Sequence, residues 1–177
     1  MHNEEEIKLL RKWVNSPIAF IEDFWGLKPQ VKGEEFIKGK NITWQQHQIL
    51  LAIEKAIKGE APKRISVVTG HGIGKSCILV WIIHWFLFTK ENSQIGCTAP
   101  TTAQMYDILF KEIMVWNQKL PEATFNNKPI KDYFEWSTTH YRMTERPQTW
   151  WARARTAKKE DPEAFAGLHG ESVMLIA

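Results

Sequence analysis

Apolar residues recur at helical spacing over much of the chain, and this pattern predicts five helices. Near the amino terminus, Ile7, Leu10 and Val14 fall on one face of a helix. Ser16 before Pro17 and Thr43 before a third apolar run are typical helix-capping residues. The predicted helices cover residues 4–14, 17–25, 44–58, 75–89 and 101–120, and residues 28–42, rich in Lys and Glu, are predicted to form a loop.

Continuous apolar runs predict buried strands at residues 64–68, 94–99 and 173–177. The first strand leads through a glycine-rich turn into the fourth helix, and the second strand leads into the fifth. This alternation predicts an α/β fold with a parallel sheet covered by helices on both faces, with the amino-terminal helices as an additional layer. Further short strands are predicted at residues 133–136, 139–144 and 149–155, and a short helix is predicted from Asp161 to near Gly167.

The glycine-rich turn carries the chemistry that stands out in this sequence. RISVVTGHGIGKS, residues 64–76, combines a predicted strand, three glycines, and Lys75 and Ser76 at a helix start. Backbone N–H groups of such a loop bind phosphate oxygens, the lysine adds a positive charge, and the hydroxyl binds Mg²⁺. We therefore expect a site for the phosphates of a nucleotide and for Mg²⁺, with Ser76 as the metal ligand. The residues expected at the nucleotide are Thr69, Gly70, His71, Gly72, Ile73, Gly74, Lys75 and Ser76.

The loop departs from the usual phosphate-binding pattern G-x-x-x-x-G-K-[ST] at its first position. Counting back from Gly74, that position is Thr69, and glycines at 70, 72 and 74 provide the backbone freedom instead. We expect the His71 side chain to lie on the outer side of the loop without a catalytic role. The alternative for the whole stretch is a flexible turn between strand and helix, which would leave Lys75 at the helix start unexplained.

A nucleotide site also needs contacts for the base, and Trp44 and Gln45 at the head of the third helix are the candidates. An aromatic ring can stack on adenine, and a carboxamide can pair with its polar edge. Alternatively, Trp44 is a hydrophobic contact at the helix start and Gln45 is solvated. The residues alone leave both interpretations open.

A basic stretch lies nearer the carboxyl terminus. Residues 142–159 hold six basic residues against one acid, Glu145, with Trp150 and Trp151 interleaved. Such a stretch suits a nucleic-acid backbone or a phosphate. It also suits a solvated strand face, because Trp151, Arg153 and Arg155 share one side of a strand.

Composition adds limits rather than a function. A net charge of +3 and 44% hydrophobic residues are typical of a globular protein and compatible with nucleic-acid binding. Cys77 and Cys97 lie in apolar runs and are predicted to be reduced core residues. The apolar run over residues 77–88 is too short to span a bilayer, and the amino terminus lacks a signal peptide, so we expect no membrane association.

Four stretches occur in order along the chain: TWQQHQILLAI, RISVVTGHGIGKSCILVWIIHWFL, IGCTAPTTAQMYDILFKEIMVW and EAFAGLHGESVMLIA. Together they resemble the large terminase subunit of tailed bacteriophages, an ATPase that pumps DNA into capsids. The resemblance implies a P-loop NTPase fold of the additional-strand type, in which the last stretch is the Walker B strand. It implies an adenine contact for Trp44 and Gln45, and an arginine finger at the γ-phosphate, for which Arg153 and Arg155 are candidates before Arg146.

In that family the Walker B strand is followed by two acids needed for hydrolysis and by a nuclease domain. The resemblance therefore leads us to expect a chain truncated at this strand, as in a gene fragment or split gene product, with a helical segment at 1–42 and an incomplete ATPase domain at 43–177. We expect weak ATP binding without useful hydrolysis, and turnover abolished by Lys75→Ala would contradict this.

The partners implied by the resemblance are double-stranded DNA, a terminase small subunit and the capsid portal. The chain would work as part of a ring homo-oligomer on the portal, in the cytoplasm of a bacterial host. The alternatives are a helicase-like P-loop ATPase and a non-catalytic nucleotide-binding prophage remnant.

Overall fold

A computed structural model describes residues 4–68, 70, 72–99, 101, 104–137, 140–156 and 167–177. The α-helices in this part of the chain are α1 (Glu4–Asn15), α2 (Pro17–Trp25), α3 (Trp44–Ile57), α4 (Lys75–Thr89) and α5 (Lys111–Asn117). A π-helix, Gln104–Phe110, precedes α5, and a 3-10 helix covers Ile130–Tyr133. The strands are β1 (Lys28–Pro29), β2 (Asn41–Ile42), β3 (Gln94–Ala99), β4 (Thr124–Phe125), β5 (Lys128–Pro129), β6 (Phe134–Trp136), β7 (His140–Met143), β8 (Trp151–Thr156) and β9 (Val173–Ile176).

The first helices begin and end where capping chemistry places them. The Ser16 hydroxyl accepts a hydrogen bond from the Ala19 N–H at the start of α2. Gly26 ends α2 in the left-handed conformation, at a φ of 66°. Thr43 caps α3 in a reciprocal capping box with Gln46. These predicted boundaries are confirmed.

The main sheet has five strands in the order β6-β7-β8-β3-β9. Strand β3 is parallel to both of its neighbours, β8 and β9, whereas β7 is antiparallel to both of its neighbours, β6 and β8. The α/β class is thus confirmed, but the sheet is mixed rather than parallel throughout. The antiparallel part arises because β6 and β7 are joined by a short connection, and a short connection suits antiparallel neighbours.

Helices cover one face of this sheet. Ile95 lies between Ala152 of β8 and Met174 of β9, and these side chains pack towards α4 in one hydrophobic core. Trp13 and Phe20 of the amino-terminal helices belong to the same core. On the other face, the side chain of Leu175 remains 58% exposed. In the described part of the chain, helices therefore lie against one face only, although the sequence predicted cover on both.

The prediction of a strand at residues 64–68 is wrong. The segment has no strand assignment, and Val68 is 98% exposed. Its β-branched residues favour an extended chain, but a strand also needs a neighbour with which to share hydrogen bonds. None of the described strands pairs with this segment. A run of β-formers was thus insufficient to place it in the sheet.

The helix predicted for residues 101–120 is also irregular, since it is divided into the π-helix and α5. By contrast, α4 has the predicted bounds, and it has buried residues on most of its sides, among them Val80, Trp81 and Ile83. The described helices include none that is both long enough and apolar enough to cross a membrane. The predicted helix at Asp161 lies outside the described residues.

Candidate nucleotide-binding site

The glycine-rich loop leads directly into α4. Gly72 and Gly74 have φ angles of 84° and 76°, in the left-handed region that suits glycine. Gly74 is the residue before α4, and Lys75 is the first residue of the helix. The amino terminus of α4 carries N–H groups without helical partners and the positive end of the helix dipole. A loop with this backbone and a lysine at the helix start suits an anionic ligand such as phosphate.

The Lys75 side chain folds back onto the loop. Its Nζ donates a hydrogen bond to the carbonyl oxygen of Gly70 at 2.8 Å. The ammonium group therefore lies beside the backbone of the loop. Ile73 and Ser76 are half-buried beside it, whereas Thr69 and His71 lie outside the described residues.

Metal binding at this loop stays a prediction. Ser76 offers one hydroxyl, on the first turn of α4. No group of three or more His, Cys, Asp or Glu side chains that could hold a metal ion was found among the described residues. Mg²⁺ bound with a nucleotide commonly takes most of its ligands from phosphate oxygens and water, so a single hydroxyl is compatible with it.

The residue of α3 that reaches the loop is Gln46, which the sequence prediction missed. Its side chain is only 6% exposed, and its Nε2 donates to the Gly74 carbonyl at 3.4 Å. Two signals in the sequence could have found it. Gln46 lies three residues after the Thr43 cap, and it lies four residues before Leu50, on the buried face of the helix.

The predicted base contacts, Trp44 and Gln45, are exposed at the amino end of the same helix. Trp44 has 37% of its surface exposed, and the Lys32 ammonium lies 5.2 Å from the centroid of its ring. That ring is therefore accessible, but a cation already lies over it. Contact between either residue and a base stays a prediction.

Arg153, the first candidate for the arginine finger, lies on strand β8. Arg153 lies on the sheet face opposite α4, since its neighbours Ala152 and Ala154 pack into the core. Its guanidinium stacks on the ring of Trp151, 4.2 Å from the centroid. Arg155 is in the same strand, β8, but its side chain is outside the described part. Whether either acts as an arginine finger stays a prediction.

Other basic residues of this stretch are paired with acids. Arg142 makes a two-bond contact with Glu135 at 2.9 and 3.0 Å, and this hydrogen bonding lowers the pKa of the Glu135 carboxyl. Arg146 pairs with Glu91 at 3.0 Å. Burial, followed by repulsion from Arg142 and Arg153, lowers the pKa of His140. These contacts fit a polar, partly solvated sheet face.

Neither cysteine is an activated nucleophile. Burial raises the pKa of Cys97 to about 12. Burial and then the negative charge of Glu112 raise the pKa of Cys77 to about 12. Thiols with such pKa values carry almost no thiolate at neutral pH. Both cysteines are free; Cys97 lies in the hydrophobic core and Cys77 packs partly buried against it. Their reduced state stays a prediction.

The turn before β9 is fixed by close backbone packing. A Cβ on Gly170 would lie 2.9 Å from the Asn92 carbonyl oxygen and 3.0 Å from the Gln94 nitrogen, so only glycine fits. The Gln94 side chain accepts a hydrogen bond from the His169 N–H at 2.9 Å, and its backbone N–H donates to Ser172. These contacts hold β9 in register beside β3.

Comparison with known proteins gives a distant relative. The probable terminase large subunit of Enterobacteria phage P7 is 24% identical to this chain over 147 residues. This chain is similar to part of a terminase large subunit. The match covers 82% of the chain and 28% of the phage protein.

The resemblance seen in the four sequence stretches is thereby confirmed as a distant similarity to this terminase. No protein-family model matches the chain. No solved structure matches it either.

Proposed function

We propose that this chain is the ATP-binding part of a bacteriophage terminase large subunit, the motor that packages double-stranded DNA into capsids. The observation that carries the proposal is the glycine-rich loop before α4. Its Gly72 and Gly74 have left-handed backbone conformations, and Lys75 follows as the first residue of the helix. The distant similarity to the phage P7 terminase supports the same function. The fold that the proposal requires is that of a P-loop NTPase.

The residues of the loop would act on ATP by binding and orienting its phosphates. Backbone N–H groups around Gly72 and Gly74 would donate to phosphate oxygens. Lys75 would exchange its hydrogen bond with the Gly70 carbonyl for a stronger, charge-assisted bond to phosphate. Ser76 would supply one ligand to Mg²⁺, which neutralises phosphate charge when it is bound with the nucleotide.

The partners follow from the terminase assignment. They are double-stranded DNA, the terminase small subunit and the capsid portal, on which copies would assemble as a ring in the cytoplasm of the bacterial host. Arg153 and Arg155 remain candidates for the arginine finger of this assembly. Trp44 and Gln45 remain candidates for the adenine contact.

The test is a titration of the purified 177-residue chain with a fluorescent ATP analogue in the presence of Mg²⁺. We expect wild type to bind and Lys75→Ala to lose at least about tenfold in affinity, since a hydrogen bond to a charged group is worth about 1.5–3 kcal/mol. Lys131→Ala is the matched control because Lys131 is an exposed lysine on the 3-10 helix. It should bind as wild type does.

Absence of binding by wild type, or equal binding by Lys75→Ala, would overturn the proposal. Binding alone would not separate a terminase from the helicase-like alternative or from a non-catalytic nucleotide-binding remnant. Co-purification with a capsid portal and a terminase small subunit, when the three are expressed together, would favour the terminase. Failure to associate with either partner would count against it.

A further inference from the structure

Gln46 is a buried polar residue that links the beginnings of two helices. Its Oε1 accepts a hydrogen bond from the Thr43 N–H at 2.9 Å, at the start of α3. Its Nε2 donates to the Gly74 carbonyl at 3.4 Å, at the start of α4. The bond from Thr43 fixes the amide orientation, because the oxygen must face that N–H. The NH₂ group is consequently directed at Gly74.

The Gln46 amide lies so close to Gly74 that a side chain there would displace it. A Cβ on Gly74 would lie 2.5 Å from the Gln46 Nε2 atom, well inside van der Waals contact. Gly74 is the N-cap residue of α4 and, as a glycine, has no side chain to cap the helix. Its carbonyl also accepts a hydrogen bond from the Ile78 N–H at 3.2 Å. The Gly74 carbonyl is therefore held from two sides, by the first turn of α4 and by Gln46.

We propose that Gln46 is a positioning residue of the glycine-rich loop. Its amide holds the Gly74 carbonyl, and this fixes the direction in which the N–H groups at the start of α4 point. Gln46 would therefore set the affinity of the loop for the phosphates of a nucleotide, whichever base that nucleotide carries. The inference rests on the proposed ATP-binding function, and it differs from a base contact in predicting no preference between ATP and GTP.

The test replaces Gln46 with methionine, which has a similar length and no hydrogen-bond donor. We expect Gln46→Met to weaken the binding of fluorescent ATP and GTP analogues to the same extent, by about two- to tenfold, as expected for the loss of one hydrogen bond. Gln48→Met is the matched control, because Gln48 is exposed on the same helix. Ser16→Ala controls for a general loss of stability, since Ser16 contacts α2 and α3 but not the loop.

A second measurement reports on the hydrogen bond between Gln46 and the Gly74 carbonyl itself, in the absence of nucleotide. Hydrogen exchange at the Ile78 amide should become faster in Gln46→Met, because that N–H donates to the carbonyl held by Gln46, and it should be unchanged in Gln48→Met and Ser16→Ala. Should Gln46→Met fail to fold, Gln46→Glu keeps an acceptor for the Thr43 N–H, and at neutral pH it replaces the donor to Gly74 with a charged acceptor. It should show the same faster exchange.

The outcomes separate the inference from the function on which it rests. If wild type binds neither nucleotide, the proposed function is overturned, and the positioning role falls with it. If wild type binds, Lys75→Ala does not, and Gln46→Met binds as wild type does, the positioning role alone is overturned. A loss confined to the ATP analogue would also overturn it, in favour of a base contact.

Discussion

His84 is a fully buried imidazole in the middle of α4. Its Nδ1 lies 2.8 Å from the Val80 carbonyl oxygen one turn earlier, so this nitrogen carries the proton of the neutral ring. Its Nε2 has no hydrogen-bond partner among the described residues. The rings of Trp25 and Tyr141 pack against it at 5.4 and 5.0 Å between centroids. A positive charge here would lack solvent, and burial accordingly lowers the His84 pKa from 6.5 to about 4.

This pKa makes stability depend on pH with a definite sign. Because the folded-state pKa lies below the unfolded value, the unfolded chain binds the proton more readily. The stabilisation is fully present above pH 6.5 and is lost as the pH falls towards 4, by roughly 3 kcal/mol over that range. Urea unfolding of wild type and His84→Phe at several pH values measures it. The phenylalanine variant should lose less stability on acidification, and equal losses would contradict a buried neutral His84.

At the scale of secondary-structure elements, the junction of α1 and α2 depends on Ser16. Its hydroxyl caps α2 through the Ala19 N–H and donates to the Glu54 carboxylate on α3. We expect Ser16→Ala to lower the free energy of unfolding by about 1–2 kcal/mol, through loss of the cap and of the bond to Glu54. Urea unfolding measures the change. Ser66→Ala, in an exposed segment without secondary structure, is the control and should be near neutral; equal effects would contradict the capping role.

The helix boundaries that the sequence predicted well are determined by residues close to them in the sequence. Caps such as Ser16, Thr43 and Gly26 act within a few residues, so their effect is visible in the sequence. The segment at 64–68 failed because strand pairing depends on residues far away. Gln46 was missed for a related reason. Its capping role is local, but its contact with Gly74 arises only when α3 and α4 pack with their amino ends together.

At the scale of the whole molecule, the central feature is a sheet with unequal faces. Ile95 is fully buried between the sheet and α4, whereas Leu175 on the adjacent strand points to the other face and is 58% exposed. Both are branched aliphatic residues on parallel strands, which makes them a matched pair for measuring how much each face contributes to stability.

We expect Ile95→Ala to lower the free energy of unfolding by about 2–5 kcal/mol, because it removes buried methyl groups and leaves a cavity. Leu175→Ala should change it by about 0.5 kcal/mol or less, as is usual for exposed positions. Urea unfolding of the two variants and wild type measures the difference. A large cost for Leu175→Ala would contradict an exposed second face and would favour cover on both faces, as the continuous apolar strands of the sequence predicted.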